Sequence, residues 1–375
     1  MSLYCKKSTY LVMNNSFIAN YGYSNYAIFF PDISIPHGFS AARVVAVHKN
    51  GYSLATEQGV LFGEATGKLL YSSAFEEGLP QVGDWVLVTL YGAHSPAMVH
   101  QILPRFSVLS RVMPGTKAKE QILAANINKL FIVESCDKEL NINRIERFLS
   151  ATSNNHIQRV VVLSKADVCS NVTQRIDAIK SRLASTIDVL AVSTLDRTGI
   201  DMLQAYISNG ETAVFIGLSG VGKSSLINAL LDEQRLKVGD VRTSDHRGRH
   251  TSTTREMFVL KHGGIVIDSP GVREFRLTEQ LQGSDLFTDV EMLASQCKFS
   301  GCTHTVEPHC AVQNALAAGE LDAMHFENYQ KMLKEKEYYM SLGDRKLSQA
   351  RKEKVKKIFK DYANYVKEKK RLGEE

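Results

Sequence analysis

Residues 217–224 read Gly-Leu-Ser-Gly-Val-Gly-Lys-Ser, which satisfies G-x-x-x-x-G-K-[ST] at every fixed position. The chemistry this spacing supports is phosphate binding. Glycines let the backbone wrap around a polyphosphate with its N–H groups turned inward, and a helix start adds partial positive charge. Lys223 would reach the β- and γ-phosphates, and the Ser224 hydroxyl would ligate magnesium. The apolar run Ala213–Ile216 before the loop and the helical spacing of Ser225–Leu231 after it supply the strand and helix the loop requires. The phosphate-contacting set is therefore Gly217, Leu218, Ser219, Gly220, Val221, Gly222, Lys223, Ser224 and Ser225.

A second constellation tells which nucleotide. Ser164-Lys165-Ala166-Asp167 follows the apolar run Val160–Leu163 and approximates N/T-K-x-D. A carboxylate at Asp167 accepts from both the ring N–H and the exocyclic amine of guanine. Adenine offers neither, so the wrong base leaves the acceptor unpaired, which favours GTP over ATP. Lys165 would lay its stem over the base. Ser164 stands where the pattern has Asn or Thr, which predicts a weaker hydrogen bond tying the loop. Further on, Ile265–Gly271 is an apolar strand ending in D-x-x-G. Asp268 would hold the magnesium shell and the Gly271 N–H would sense the γ-phosphate. Between the two motifs, Asp245–Arg255 is hydroxyl-rich, basic and poor in apolar residues, as a switch loop should be.

The order of these parts is unusual. A common GTPase runs phosphate loop, switch loop, D-x-x-G, guanine reader, then a Ser-Ala loop. Here the guanine reader comes first, and Ser193-Thr194 stands in place of the Ser-Ala pair before the phosphate loop. That is a circular permutation, which domains tolerate because their termini often lie close together.

In this permuted order of motifs the chain resembles the circularly permuted, ribosome small-subunit-dependent GTPase A family (RsgA). The likeness spans nearly the whole chain after about residue 40. It includes Gly83-Asp84-Trp85-Val86, Leu103-Pro104-Arg105, Gly248-Arg249-His250-Thr251 and Asp268–Phe275. It implies an OB domain, a permuted GTPase domain and a zinc domain, and a GTPase that docks on the small ribosomal subunit. Many GTPases place a water-orienting Gln after D-x-x-G, but Val272 stands there. His250, in the switch loop, can accept from water and hold it in line, and the resemblance assigns it that role. The family pattern has three threonines after this point. Here they are Thr251, Ser252 and Thr253, with Thr251 and Thr253 the candidate magnesium ligands. Arg247 and Arg249 stay open between phosphate, RNA and solvent.

Cys297, Cys302, His304 and Cys310 form the other chemical cluster. Three thiolates and an imidazole make a closed tetrahedral Zn²⁺ site of structural type. His309 is a competing ligand, and reduced, unliganded cysteines are the plain alternative. Three of the six cysteines fall within this short stretch, which fits a reducing compartment and one metal site better than a disulfide scaffold.

The elements that must position these residues follow from texture. Residues 1–40 are aromatic- and Asn-rich and read as an added strand or a loosely packed arm. From 41 to 112, Ala42–Val47, the Asn50-Gly51 turn, Val60–Phe62, Lys68–Tyr71, Val82–Val88 and Met98–Leu103 read as short strands of a closed barrel, an OB-fold. Trp85 is a barrel-packing aromatic or a base-stacking platform. From 113 to 280, strands alternate with helices, as in an α/β domain on a mostly parallel sheet. From 281 to 375, helices surround the Cys/His cluster and end in a basic tail.

The composition bounds what the whole can be. It is 44% hydrophobic and 23% charged, a globular balance. No apolar run approaches the roughly 18 residues of a membrane span, and no secretory leader is legible, so the expected address is the cytoplasm. Net charge is +5, but Arg345–Arg371 holds 12 Lys/Arg against 3 Asp/Glu. That tail is a candidate rRNA contact, against a solvated helix or a membrane surface. The expected protein is a monomeric GTPase using GTP, Mg²⁺ and one Zn²⁺, with the small ribosomal subunit as partner. The alternatives are a non-catalytic GTP-binding, RNA-binding module and a permuted GTPase of large-subunit assembly.

Overall fold

The computed structural model describes residues 17–72, 78–92, 95–112, 120–152, 156–183, 187–236, 255–268, 286–299, 302–305 and 307–343. They fall into two units, one drawn from Met1–Arg111 and Gln121–Phe275, the other from Val112–Glu120 and Arg276–Glu375.

The first unit begins with a 3-10 turn, Phe17–Tyr21, and helix α1 (Tyr23–Phe29). The barrel follows: β1 (Ser40–His48), β2 (Gly51–Thr56), β3 (Gly59–Ala65), helix α2 (Gly67–Ser72), β4 (Trp85–Thr89) and β5 (Ala97–Ile102). β1 pairs antiparallel with β2 and β4, β2 with β3, and β4 with β5. A parallel β3–β5 pairing closes the ring. This is the expected five-stranded OB-like barrel, filled by Ala42, Val44, Leu54, Val86, Val88 and Val99.

Two expectations need correction. Lys68–Tyr71 is helical, not a strand. The Thr66 hydroxyl accepts from the Leu69 N–H at 3.3 Å, and Leu69 joins the barrel interior while Leu70 and Tyr71 face solvent. A four-residue run with three apolar members carries too little periodicity to separate the two states. Nor are the described residues before 40 a strand or a loose arm. Tyr23 and Tyr26, one helical turn apart, are buried with their ring centroids 5.0 Å and 5.4 Å from that of Trp85. Trp85 is fully buried and so takes its packing role.

β6 (Val108–Val112) and β7 (Glu120–Ala125) form a separate two-stranded sheet. Then come β8 (Lys129–Ser135), α3 (Ile142–Ala151), β9 (Gln158–Ser164), α4 (Val172–Arg182), β10 (Asp188–Ala191), α5 (Ile200–Ala205), β11 (Thr212–Ile216), α6 (Lys223–Leu231), β12 (Glu256–Val259) and β13 (Ile265–Asp268). The order β10-β9-β8-β11-β13-β12 is parallel except for β12. The inner strands are unbroken apolar runs because both faces are covered, with Phe131, Val162, Phe215 and Val266 in the core. Parallel pairing brings the ends of β8, β9, β10, β11 and β13 to one edge, where ligands of such sheets bind.

The second unit carries α7 (Thr288–Ser295), α8 (Ala311–Ala318) and α9 (Ala323–Gly343). The basic tail from Arg345 lies outside the described residues. Among those described, no helix is long and apolar enough to cross a membrane.

Barrel and parallel sheet meet at Arg43. Its side chain is buried in β1 and donates to the carbonyls of Tyr21, Gly83 (3.3 Å) and Asn126 (3.1 Å) and to the Thr212 hydroxyl of β11 (2.9 Å). The guanidinium also stands 5.4 Å from the Trp85 ring centroid. Burial pushes its pKa down to about 9, with Asp84 opposing, so it stays charged at neutral pH. Asp84 in turn makes a two-pronged bond with Arg105, 2.6 Å on each arm. The motifs around Gly83–Val86 and Leu103–Arg105 thus hold this junction together. Arg43→Ala is expected to lower the unfolding free energy of the first unit by about 3 kcal/mol or more, since several buried acceptors lose their donor. Urea denaturation followed by Trp85 fluorescence measures it, and an unchanged midpoint would contradict it.

Candidate nucleotide and metal sites

The phosphate loop leaves the fully buried β11 at Gly217. Gly217 has φ +150°, and a Cβ there would collide with the Val133 carbonyl of β8, so no side chain fits. Gly222, at φ +93°, caps α6. Ser219 and Gly220 are exposed at the crest of the loop, Leu218 is half-buried, and Ser224 and Ser225 are half-buried in the first turn of α6. The Lys223 ammonium donates to the Gly217 and Leu218 carbonyls at 2.9 and 2.8 Å. Burial lowers its pKa to about 8, with Asp268 opposing. Asp268, at the end of β13, is pushed up to about 6 by burial, with Lys223 opposing and Glu256 adding to the rise. Glu256 is its register partner on β12.

The Ser164–Asp167 loop, the guanine-loop candidate, reaches the Gly217–Ser224 loop directly. The Ser164 hydroxyl lies 2.5 Å from the Val221 carbonyl and 3.1 Å from that of Glu134. The weaker tie expected from serine is therefore made at short range, because β8 alone separates the ends of β9 and β11. The Ala166 N–H donates to the Val192 carbonyl at 3.0 Å. Asp167 lies in the 3-10 turn Ala166–Val168 with its side chain exposed.

The Ser193 hydroxyl accepts from the N–H groups of Leu195 and Asp196, at 3.2 and 3.4 Å, and shapes the neighbouring loop. A cavity of about 570 Å³ opens between Thr194 and Arg197 on one side and Ser225, Asn228, Ala229 and Asp232 of α6 and its end on the other. Asn228 was not foreseen. Its amide bonds both backbone groups of Leu236 at 2.8 Å and so folds the chain after α6 back onto the helix. A buried Asn on an otherwise apolar helix face was its signal. His250, Thr251, Ser252, Thr253 and Gly271 lie outside the described residues.

In the second unit, the ligand atoms of Cys297, Cys302, His304 and Cys310 lie within 4.8 Å of one another. Cys297 Sγ is 3.8 Å from Cys310 Sγ, and His304 Nδ1 is 3.6 Å from Cys297 Sγ and 3.4 Å from Cys310 Sγ. A tetrahedral ion with thiolate bonds of about 2.3 Å and an imidazole bond of about 2.0 Å needs edges of about 3.8 Å and 3.5 Å, so the donor set fits such an ion. Cys310 also caps α8, its sulfur accepting from the Gln313 N–H at 3.4 Å. Gln313 Nε2 donates to the His304 carbonyl at 2.6 Å. His309 is not in the cluster.

A model of the RsgA GTPase family matches residues 102–278. The small ribosomal subunit biogenesis GTPase RsgA 2 of Vibrio parahaemolyticus is 41% identical over 303 residues, 79% of this chain and 79% of that protein. RsgA 1 of Bacteroides thetaiotaomicron is 37% identical over 360 residues, 95% and 98% of the two chains. The chain belongs to the RsgA GTPase family. Solved folds agree. YjeQ from Thermotoga maritima matches with a TM-score of 0.61 at 26% identity, over 79% of this chain and 98% of that one. YloQ, a circularly permuted GTPase, matches at 0.57 and 23% identity, over 80% and 95%. The RsgA-family fold here is thus an OB-like barrel, a permuted GTPase domain and a helical Cys/His unit.

The buried lysine generates a pH prediction. An anionic phosphate favours charged Lys223, so binding raises a pKa that starts near 8. Below that value the charged form is already present, and above it binding must take up a proton. GDP affinity should therefore be flat near pH 7 and fall severalfold as the pH passes about 8. Calorimetry in two buffers should show proton uptake there, and no uptake would contradict the assignment.

Proposed function

We propose that this chain hydrolyses GTP to GDP and phosphate on docking to the small ribosomal subunit and so assists its late maturation. The observation that carries the reading is the bond from Ser164 to Val221, which joins a guanine-type loop to a phosphate loop. The relatives' names point to the same subunit.

Asp167 would accept from the guanine edge, beside Ser193 and Thr194. The backbone of Gly217–Gly222, Lys223 and Ser225 would hold the phosphates, and Gly271 would meet the γ-phosphate. The half-buried Ser224 hydroxyl and the buried Asp268 carboxylate suit a hard cation, so they are the residues to hold Mg²⁺, with Thr251 or Thr253. When bound, that ion neutralises charge on the phosphate oxygens. His250 would orient the attacking water, a role the apolar Val272 side chain cannot fill. The chain would work as a cytoplasmic monomer, with residues 41–112 as barrel, 113–280 as GTPase domain, 281–375 as zinc-bearing helices with a basic rRNA-contacting tail, and 1–40 as an extension.

GTP turnover should rise on adding purified small subunits. Lys223→Ala should abolish nucleotide-dependent activity, while His250→Ala should keep nucleotide binding and lose turnover. Equal turnover by His250→Ala and the wild type removes that residue from the chemistry. No subunit stimulation leaves a non-catalytic binding module as the better reading.

We assign zinc to the Cys/His cluster. Elemental analysis should give about one zinc per chain. Chelation should cost helix signal in circular dichroism, because Cys310 both ligates and caps α8. A chelated protein with unchanged helicity would overturn the structural role.

A further inference from the structure

The guanine loop has a partner that its motif does not include. Asp137 stands two residues past the end of β8. One carboxylate oxygen accepts from the Lys165 ammonium at 2.6 Å, and the other accepts from the Ser135 hydroxyl at 2.5 Å. Ser135 is itself buried. Lys138, the next residue, donates its N–H back to the Ser135 carbonyl at 3.3 Å and receives Arg175 of α4 on its own carbonyl at 2.8 Å. The turn that carries Asp137 is therefore anchored at both sides. The Lys165 bond and then the Ser135 bond hold its carboxyl below the usual range, so it is ionised at neutral pH.

Lys165 needs such an anchor. Its backbone is left-handed, φ +56°, while its neighbours Ser164 and Ala166 are tied to the phosphate loop and to Val192. The side chain is the loose part, and a lysine stem has many rotamers to lose when a base settles against it. As a stabilising contact the pair would count for little, because the two side chains are 34% and 35% exposed. Its value lies in ordering the stem before the ligand arrives.

We propose that Asp137 is a positioning residue for guanine-nucleotide binding, holding the Lys165 ammonium so that the stem forms a fixed surface for the purine ring. The inference rests on the reading of Ser164–Asp167 as a guanine loop. A surface of methylene groups does not see the exocyclic amine. Loss of Asp137 should therefore weaken guanine and hypoxanthine nucleotides alike, whereas Asp167 should govern the difference between them.

The test is binding of fluorescent GDP to the full chain, with unlabelled GDP, IDP and ADP as competitors. Asp137→Ala should weaken GDP and IDP equally, by about fivefold, the upper range for a single exposed ion pair. KM for GTP should rise with kcat held, and the melting temperature should match the wild type. Asp137→Glu should restore part of the affinity. In a Lys165→Ala background, Asp137→Ala should cost nothing more. Unchanged GDP affinity in Asp137→Ala, additive losses in the double variant, or an altered GDP-to-IDP ratio each overturn the proposal. A wild type that binds GDP no better than ADP overturns the guanine loop as well, so the two failures are told apart.

Discussion

The hydrogen bond from the Ser164 hydroxyl to the Val221 carbonyl depends on a strand register. β8 pairs in parallel with β9 on one side and β11 on the other, with Ser135 beside Ser164 and Ile132 beside Ile216. Two strand spacings, about 10 Å, separate the exits of β9 and β11. Loops leaving them on the same edge can meet over β8. Chain order does not enter this geometry. What must be kept is which strands are neighbours and which way they run. That is why the Ser164–Asp167 loop, which precedes the Gly217–Ser224 loop by some fifty residues in sequence, still touches it.

The same edge concentrates unfavourable desolvation. Lys223 and Asp268 are both buried, and burial pushes each towards its neutral form. A polyphosphate with a divalent cation would reverse both tendencies, since each would bring charge of the sign its neighbour lacks. The Cys/His unit stores its stability differently. Its helices pack Phe287, Val290, Val312, Phe326 and Met332 away from water, but the turns that carry the Cys/His cluster put His304 and His309 at positive φ. Metal–ligand bonds can hold such strained turns in place.

Much of this was legible in the chain. Phosphate loops, guanine loops and cysteine knuckles demand particular residue types at short, fixed spacings, so local reading suffices for them. The inner strands of the parallel sheet were legible too, as unbroken apolar runs. What escaped depends on distant partners. Asp137 looks like any polar residue after a strand until β8 and β9 are set side by side. Asn228 stands out only as a polar residue on an apolar helix face, and its role shows once Leu236 folds back on it. Residues 68–71 are too few to show a period, and only the barrel around Leu69 makes them helical. Tyr23 and Tyr26 gain their meaning from Trp85, some sixty residues away.

Arg43 carries a consequence for how such a chain can be divided. Its hydrogen bonds run to the segment before the barrel, to the barrel itself and to β11 of the neighbouring sheet, all from one charged group withdrawn from water. Cutting between barrel and sheet would leave that charge on one fragment and two of its four acceptors, the Asn126 carbonyl and the Thr212 hydroxyl, on the other. The barrel is thus no detachable adaptor that could be swapped or inherited alone. Recombination that trades it for another must bring a matching cation, or replace the whole polar knot at once with apolar side chains.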